Sequence, residues 1–119
     1  MILVDTSVWV DHFRAGIERL SLALESGAVL MHPFVIGELA CGNLRNRDRV
    51  LVDLARLPLI AQARHSDVMQ LVGGRRLWNR GIGWVDAHLV ASAMIGDCVL
   101  WTRDRRLMNV ARALHIAHA

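Results

Sequence analysis

The sequence predicts an α/β fold in three layers, with a central parallel sheet of four to five short strands flanked by helices. Short apolar runs alternate with segments of helical periodicity along the whole chain of 119 residues. Glycine, proline or charged residues bound the apolar runs and limit each of them to strand length. Parallel strands need crossover connections, which are usually helices, so this alternation favours a parallel sheet that is covered on both faces.

The first strand and the first two helices are predicted near the amino terminus. Residues 2–5 form an apolar run that a carboxylate closes, and apolar residues then recur at helical spacing as far as Gly16. Residues 17–26 place apolar side chains on one face, and Gly27 follows where a helix C-cap is expected. We therefore expect one strand followed by two helices.

The remaining elements continue the alternation. Further helices are predicted over residues 33–41, 48–57, 66–79, 86–95 and 107–114. Further strands are predicted over residues 28–31, 59–61, 99–101 and 115–117. Pro33 and Ser66 are residues that suit helix starts, and Pro58 interrupts the helical pattern before it.

The composition predicts a single soluble domain over residues 1–119. Apolar residues make up 54% of the chain, but no uninterrupted apolar run approaches the ~20 residues of a membrane span. The amino terminus lacks the basic flank of a secretory signal, so we expect a cytoplasmic protein without a membrane partner. All 14 basic residues are arginines, which excludes a phosphate-binding Walker A loop and every mechanism that needs a lysine.

Four of the 11 acidic residues lie where this layout would bring them together. Asp5 and Asp104 follow predicted strands, Glu38 lies in the helix after the second strand, and Asp86 opens a helix. Ligands of such sheets bind beyond the carboxyl ends of the strands. We expect Glu38 to be partly buried among apolar neighbours, which is costly for a carboxylate without a partner.

Clustered carboxylates indicate a divalent metal site. They repel one another and raise one another's pKa values, and a cation relieves that repulsion. Oxygen ligands suit Mg²⁺ or Mn²⁺, which can orient a phosphodiester and acidify a water molecule. For single residues simpler interpretations stay open, since Asp86 can act as a helix cap and Asp104 can form a surface ion pair with a neighbouring arginine.

Four blocks of sequence resemble the PIN-domain VapC toxins of VapBC toxin–antitoxin pairs. They are I-L-V-D-T-S-V-W at 2–9, H-P-F-V-I-G-E-L-A at 32–40, G-I-G-W-V-D-A-H-L-V-A-S at 81–92 and L-W-T-R-D-R-R-L at 100–107. The resemblance implies a PIN domain and an Mg²⁺- or Mn²⁺-dependent endoribonuclease that acts as the toxin of a type II toxin–antitoxin system.

The resemblance also implies which residues form the catalytic, metal-binding site. They are Asp5, Glu38, Asp86 and Asp104, with Asp5 and Asp86 as the firmest ligands. Ser7 and Thr102 are expected to orient a carboxylate or a bound water; helix capping and strand-end hydrogen bonding are the alternatives for these two hydroxyls. Many relatives carry a further acid where this chain has Arg106, which puts a fifth acidic ligand in doubt.

The resemblance further implies a homodimer, an RNA substrate and a cognate VapB-type antitoxin whose tail lies in the groove. Two arginine-rich segments are candidates for contacts to the RNA backbone; solvation of helix faces is their alternative role. These candidates are Arg45, Arg47, Arg49, Arg75, Arg76 and Arg80. The four tryptophans can stack on bases, or can serve as core or dimer contacts.

Two other functions are compatible with the sequence. The acids can bind a basic partner tail in a non-catalytic interaction module, or the chain can be a PIN nuclease that acts in RNA or DNA processing rather than as a toxin. Metal-dependent RNA cleavage distinguishes the first alternative, and an adjacent antitoxin gene distinguishes the second.

Overall fold

The computed structural model describes all residues, Met1–Ala119, and contains three strands and seven helices. In chain order they are β1 (Ile2–Val4), α1 (Thr6–Ala15), α2 (Glu18–Glu25), β2 (Val29–Leu30), α3 (Pro33–Cys41), α4 (Arg47–Ala55), α5 (His65–Gly74), α6 (Trp84–Ile95), β3 (Val99–Trp101) and α7 (Arg105–Ala113). The parallel sheet with flanking helices confirms the predicted fold class. None of the helices is long and apolar enough to cross a bilayer.

The sheet is parallel throughout and has the order β2-β1-β3. Because β1 is central, Ile2 pairs with Val29 on one side and with Val99 on the other. All three strands therefore end at the same edge of the sheet. The residues that follow them, which include Asp5 and Thr102, meet at that edge.

The sheet has three strands rather than four to five. Each of the two further predicted segments makes one parallel bridge instead of a strand: Leu59 pairs with Met31 beside β2, and Ala117 pairs with Leu100 beside β3. The bridges lie on opposite edges of the sheet, so both segments occupy edge positions with the predicted direction.

The helix boundaries follow local backbone chemistry. Gly16 (φ 73°) ends α1 in a left-handed conformation that glycine adopts without strain. The prediction that α5 extends to residue 79 was wrong, because the helix ends at Gly74 and the chain then turns through Arg76 and Asn79 at positive φ. Ser66 lies inside the first turn of α5 and is not its cap.

A continuous apolar core joins the sheet to the helices. Leu3, Val4 and Leu100 of the strands are fully buried, and every residue of α6 from Ala87 to Ala93 is buried. The packing of these residues fixes the position of α6, and with it the first turn of the helix, relative to the core. Asp86 belongs to that turn.

Candidate active site

Asp5 is a buried carboxylate that two hydroxyl groups hold in place. It follows β1 and caps α1, and only 5% of its surface is exposed. Its Oδ2 accepts hydrogen bonds from Ser7 Oγ at 2.7 Å and from Thr102 Oγ1 at 2.8 Å. No side chain or backbone group of the protein donates to Oδ1, which leaves one oxygen of a fixed carboxylate available to a ligand.

The same two hydroxyls connect Asp5 with the segment that carries Asp104. Ser7 Oγ accepts from the backbone N–H of Arg103 at 2.9 Å, and Thr102 Oγ1 accepts from the N–H of Asp104 at 3.0 Å. The end of β1 and the end of β3 are thereby joined through side chains as well as through the sheet.

Asp104 caps helix α7 and forms no ion pair. Its Oδ1 accepts from the N–H of Leu107 at 3.0 Å, and its Oδ2 is free of protein donors. Arg103 pairs instead with Asp11 at 3.0 Å, and Arg14 pairs with the same acid at 3.0 Å. The surface ion pair considered for Asp104 is therefore absent, and its charge stays uncompensated by the chain.

Asp86 lies in the first turn of α6, and the charges of the other three acids affect its pKa. Its Oδ2 accepts from the N–H of Gly83 at 3.2 Å, so the carboxylate also stabilises the helix start. Burial raises the pKa of Asp86, the Gly83 N–H opposes that rise, and the charges of Asp5, Asp104 and Glu38 raise it further. The other three acids are thus close enough for their charges to act on Asp86.

Glu38 is exposed rather than partly buried, which corrects the expectation from its apolar neighbours. Helix α3 buries Val35 and Leu39, and Glu38 lies on the side that meets the start of α1. Its Oε1 accepts from Thr6 Oγ1 at 2.7 Å. The sequence reasoning missed Thr6, although a hydroxyl directly after Asp5 at a helix start was a signal for it.

The four acids share one pattern of contacts that suits a hydrated cation. In each, one carboxylate oxygen accepts a hydrogen bond from the protein and the other accepts none, and none of them forms a salt bridge. No three metal-binding side chains enclose a common point. Mg²⁺ keeps several waters and needs only one or two carboxylates, so the donor set fits such an ion without a closed cage.

The arginines proposed to contact RNA are all exposed. Arg75, Arg76 and Arg80 lie in the connection between α5 and α6 that leads to Asp86. Arg47 lies at the start of α4, where it donates to the carbonyl of Ala40 at 3.2 Å and is 3.6 Å from Asp48. The group formed by Arg45, Arg47 and Arg49 thus belongs to a separate surface segment.

The tryptophans divide into two pairs. Trp9 and Trp101 are buried in the core, whereas Trp78 and Trp84 are exposed. Trp84 is the first residue of α6 and packs edge-on against His88 at a ring-centroid distance of 4.6 Å. Only the exposed pair is free to stack on a base.

Comparison with known proteins shows the family of this chain. The family model described as "PIN domain" matches residues 2–113. Two relatives named "Ribonuclease VapC32", from the CDC 1551 / Oshkosh and H37Rv strains of Mycobacterium tuberculosis, are each 52% identical over 108 residues, which is 90% of this chain and 87% of the relative. The chain therefore belongs to the PIN-domain family and, within it, to the VapC ribonucleases.

Proposed function

We propose that this protein is the toxin component of a type II toxin–antitoxin system and an endoribonuclease that hydrolyses RNA phosphodiester bonds with Mg²⁺ or Mn²⁺. One observation carries the proposal: the charges of Asp5, Glu38 and Asp104 all act on Asp86, and no basic side chain forms a salt bridge with any of these four acids. PIN-domain ribonucleases generally use divalent metal ions, which supply the missing positive charge.

Asp5 and Asp86 are the residues that we expect to hold the cation most firmly. They are the least exposed of the four acids, and each has one oxygen free of protein donors. Glu38 and Asp104 complete the site directly or through water. When bound, the cation would stabilise negative charge on the phosphate oxygens and acidify a water molecule for attack.

Ser7 and Thr102 act on Asp5 rather than on the substrate. Each donates a hydrogen bond to Oδ2 of Asp5, which fixes the plane of the carboxylate and leaves Oδ1 without a protein donor. Because both donors are uncharged, they orient Asp5 without neutralising it. This arrangement keeps the full negative charge available for the cation.

The charge distribution also suits an RNA substrate and a regulatory partner. A net charge of +3, carried entirely by arginine on the basic side, favours binding to the phosphate backbone. We expect a cognate VapB-type antitoxin to inhibit the enzyme by placing a basic side chain among the four acids, where it would exclude the cation. We also expect one domain over residues 1–119, a homodimer and a cytoplasmic site of action.

RNA cleavage by the antitoxin-free protein tests this function. We expect cleavage with Mg²⁺ or Mn²⁺, no cleavage with EDTA, and a loss of at least about 100-fold in Asp5→Asn and Asp86→Asn. Asp67→Asn is the matched control: Asp67 occupies the same position in α5 as Asp86 does in α6, and it accepts from the N–H of Arg64 at 3.0 Å. The control variant should cleave RNA like the wild type.

Two outcomes would reject the proposal. If folded wild-type protein binds an antitoxin but cuts no cellular RNA with either cation, the acids serve a non-catalytic interaction module. If Asp67→Asn loses as much activity as Asp86→Asn, the effect belongs to the helix start and not to the acidic cluster.

A further inference from the structure

Arg106 lies directly against Gly81, and only a glycine permits this contact. Gly81 has a φ of +79°, and a Cβ built there would overlap Cδ of Arg106 and lie 3.0 Å from its Nε and 3.2 Å from its Nη1. The Arg106 side chain therefore packs on a backbone surface that any other residue would obstruct. This contact restricts the conformations of an otherwise flexible arginine.

The contact joins the two helix starts that carry Asp86 and Asp104. Gly81 lies two residues before Gly83, whose N–H holds Asp86 at 3.2 Å. Arg106 is the second residue of α7, two positions after Asp104. The Arg106 side chain thus connects the loop that precedes α6 with the first turn of α7, the two segments that carry Asp86 and Asp104.

The charge of Arg106 is available to an external anion. Among the arginines nearest in sequence, Arg103 is engaged with Asp11, whereas Arg106 is exposed and forms no salt bridge. Arginine presents a planar fork of donors that matches two phosphate oxygens. Because packing on Gly81 already restricts the side chain, less conformational entropy is lost when the fork binds a ligand.

We propose that Arg106 binds a phosphate of the RNA substrate at the rim of the acidic site and so positions the strand for cleavage. The inference rests on the proposed nuclease function and deepens it. The four acids repel the polyanionic substrate. The guanidinium of Arg106 would offset this repulsion for one phosphate next to the bond that is cleaved. Gly81 is the residue that makes this placement possible.

The test measures binding of a single-stranded oligoribonucleotide that the wild-type protein cleaves, in the Asp86→Asn background so that the RNA stays intact. We expect Arg106→Gln to weaken binding by roughly tenfold, as for loss of a charge-assisted hydrogen bond. The slope of log affinity against log salt should become shallower by about 0.7, the value for one phosphate of a single strand. Arg112→Gln, an exposed arginine further along the same helix, should change neither quantity.

Two further variants separate charge from placement. Arg106→Lys keeps the positive charge, so its salt slope should equal that of the Asp86→Asn protein. Because lysine lacks the planar guanidinium, its affinity for RNA should still be lower than that of the Asp86→Asn protein. Gly81→Ala displaces the arginine without removing its charge and should weaken binding by a similar factor. When Gly81→Ala is combined with Arg106→Gln, it should cause little further loss of RNA affinity.

Specific results would overturn the inference. If Arg106→Gln leaves affinity and salt slope unchanged, or speeds cleavage when introduced into the wild type, Arg106 does not hold the substrate. If the wild-type protein cleaves no RNA, the proposed function itself fails. A Gly81→Ala variant that folds and binds RNA normally would show that the contact with Gly81 does not position the guanidinium.

Discussion

Two uncharged hydroxyls, rather than a basic side chain, hold the buried carboxylate of Asp5. A basic partner would stabilise the charge of Asp5 and would also compete with an incoming cation. Ser7 and Thr102 fix its orientation through Oδ2 and leave Oδ1 free. At the scale of single residues, the site therefore combines a rigid ligand geometry with an unneutralised charge.

Replacement of Thr102 tests this arrangement. Thr102→Val should lower RNA cleavage by about 10–100-fold, the usual effect of losing a residue that orients a metal ligand. The change removes one donor to Asp5 and the acceptor of the Asp104 N–H, while the buried volume stays similar. Thr102→Ser retains the hydroxyl and should keep most of the activity. Equal activity in the valine and serine variants would contradict the orienting role.

At the scale of the secondary-structure elements, a neutral histidine caps the start of α3. His32 is fully buried, and its Nδ1 accepts from the N–H of Phe34 at 3.0 Å, which is possible only when Nδ1 carries no proton. Burial, followed by the charge of His88, lowers the pKa of His32 from 6.5 to about 4. The start of α3, and with it Glu38, depends on this uncharged cap.

This cap predicts acid sensitivity of the fold. Since the pKa of His32 is lower in the folded state, its stabilising contribution is complete above pH 6.5 and is lost as the pH falls towards 4. We expect that loss to be about 3 kcal/mol between pH 7 and pH 4, measured by urea unfolding across this range. His32→Asn keeps a capping oxygen but does not titrate, so its stability should fall less with acid. Parallel curves for the two proteins would rule out His32 as the cause.

The strands show what local pattern can and cannot predict. Strong apolar runs located β1, β2 and β3 because a buried strand needs little beyond its own composition. The segments 59–61 and 115–117 were identified with the right direction, but each makes a single bridge. How far a segment pairs at an edge depends on where its neighbours stop, which periodicity does not encode.

Helix α5 shows a second limit. The helix was predicted to residue 79 but ends at Gly74, and Leu77 beyond that end is still buried. The structure buries Leu77 through a turn instead, with its N–H bonded to the carbonyl of Val72 at 3.0 Å. In most periodic segments a buried residue is also helical. Here the helix ends at the pair Gly73 and Gly74, and the left-handed residues Arg76 and Asn79 turn the chain, so that Leu77 is buried outside a helix.

For the candidate site, the positions of the acids and the two hydroxyls that hold Asp5 could be predicted, whereas other partners could not. Asp5, Asp86 and Asp104 follow strands or open helices, and Glu38 lies within the helix after β2, which sequence and topology indicate together. The hydrogen bond from Thr6 to Glu38 and the contact between Arg106 and Gly81 depend on side-chain placement across distant segments. The same limit left Asp11 unrecognised as the acid that pairs with Arg103.

At the scale of the whole molecule, parallel strand order explains why the acids meet. Asp5 follows the central strand β1, and Asp104 follows the neighbouring strand β3 after two residues. Strand β2, on the other side of β1, leads into the helix that carries Glu38. Helix α6 is enclosed in the core and presents Asp86 to the same place. The fold thus keeps the carboxylate of Asp86 under the negative charges of the other three acids, at a cost in stability that functional sites often carry.

The central claim is that these four carboxylates act as one cation site, and thermal unfolding with and without Mn²⁺ tests it most directly. Because burial and the neighbouring acids raise the pKa of Asp86, its ionised form destabilises the fold at pH values above that pKa. Asp86→Asn should therefore have a higher Tm than the wild type at pH 7.5 without cation. Mn²⁺ at about 100 times its Kd should stabilise the wild type and Asp67→Asn by about 2.7 kcal/mol, and Asp86→Asn far less. An equal response of all three proteins to Mn²⁺, or a cation-free Asp86→Asn that is less stable than the wild type, would contradict the account.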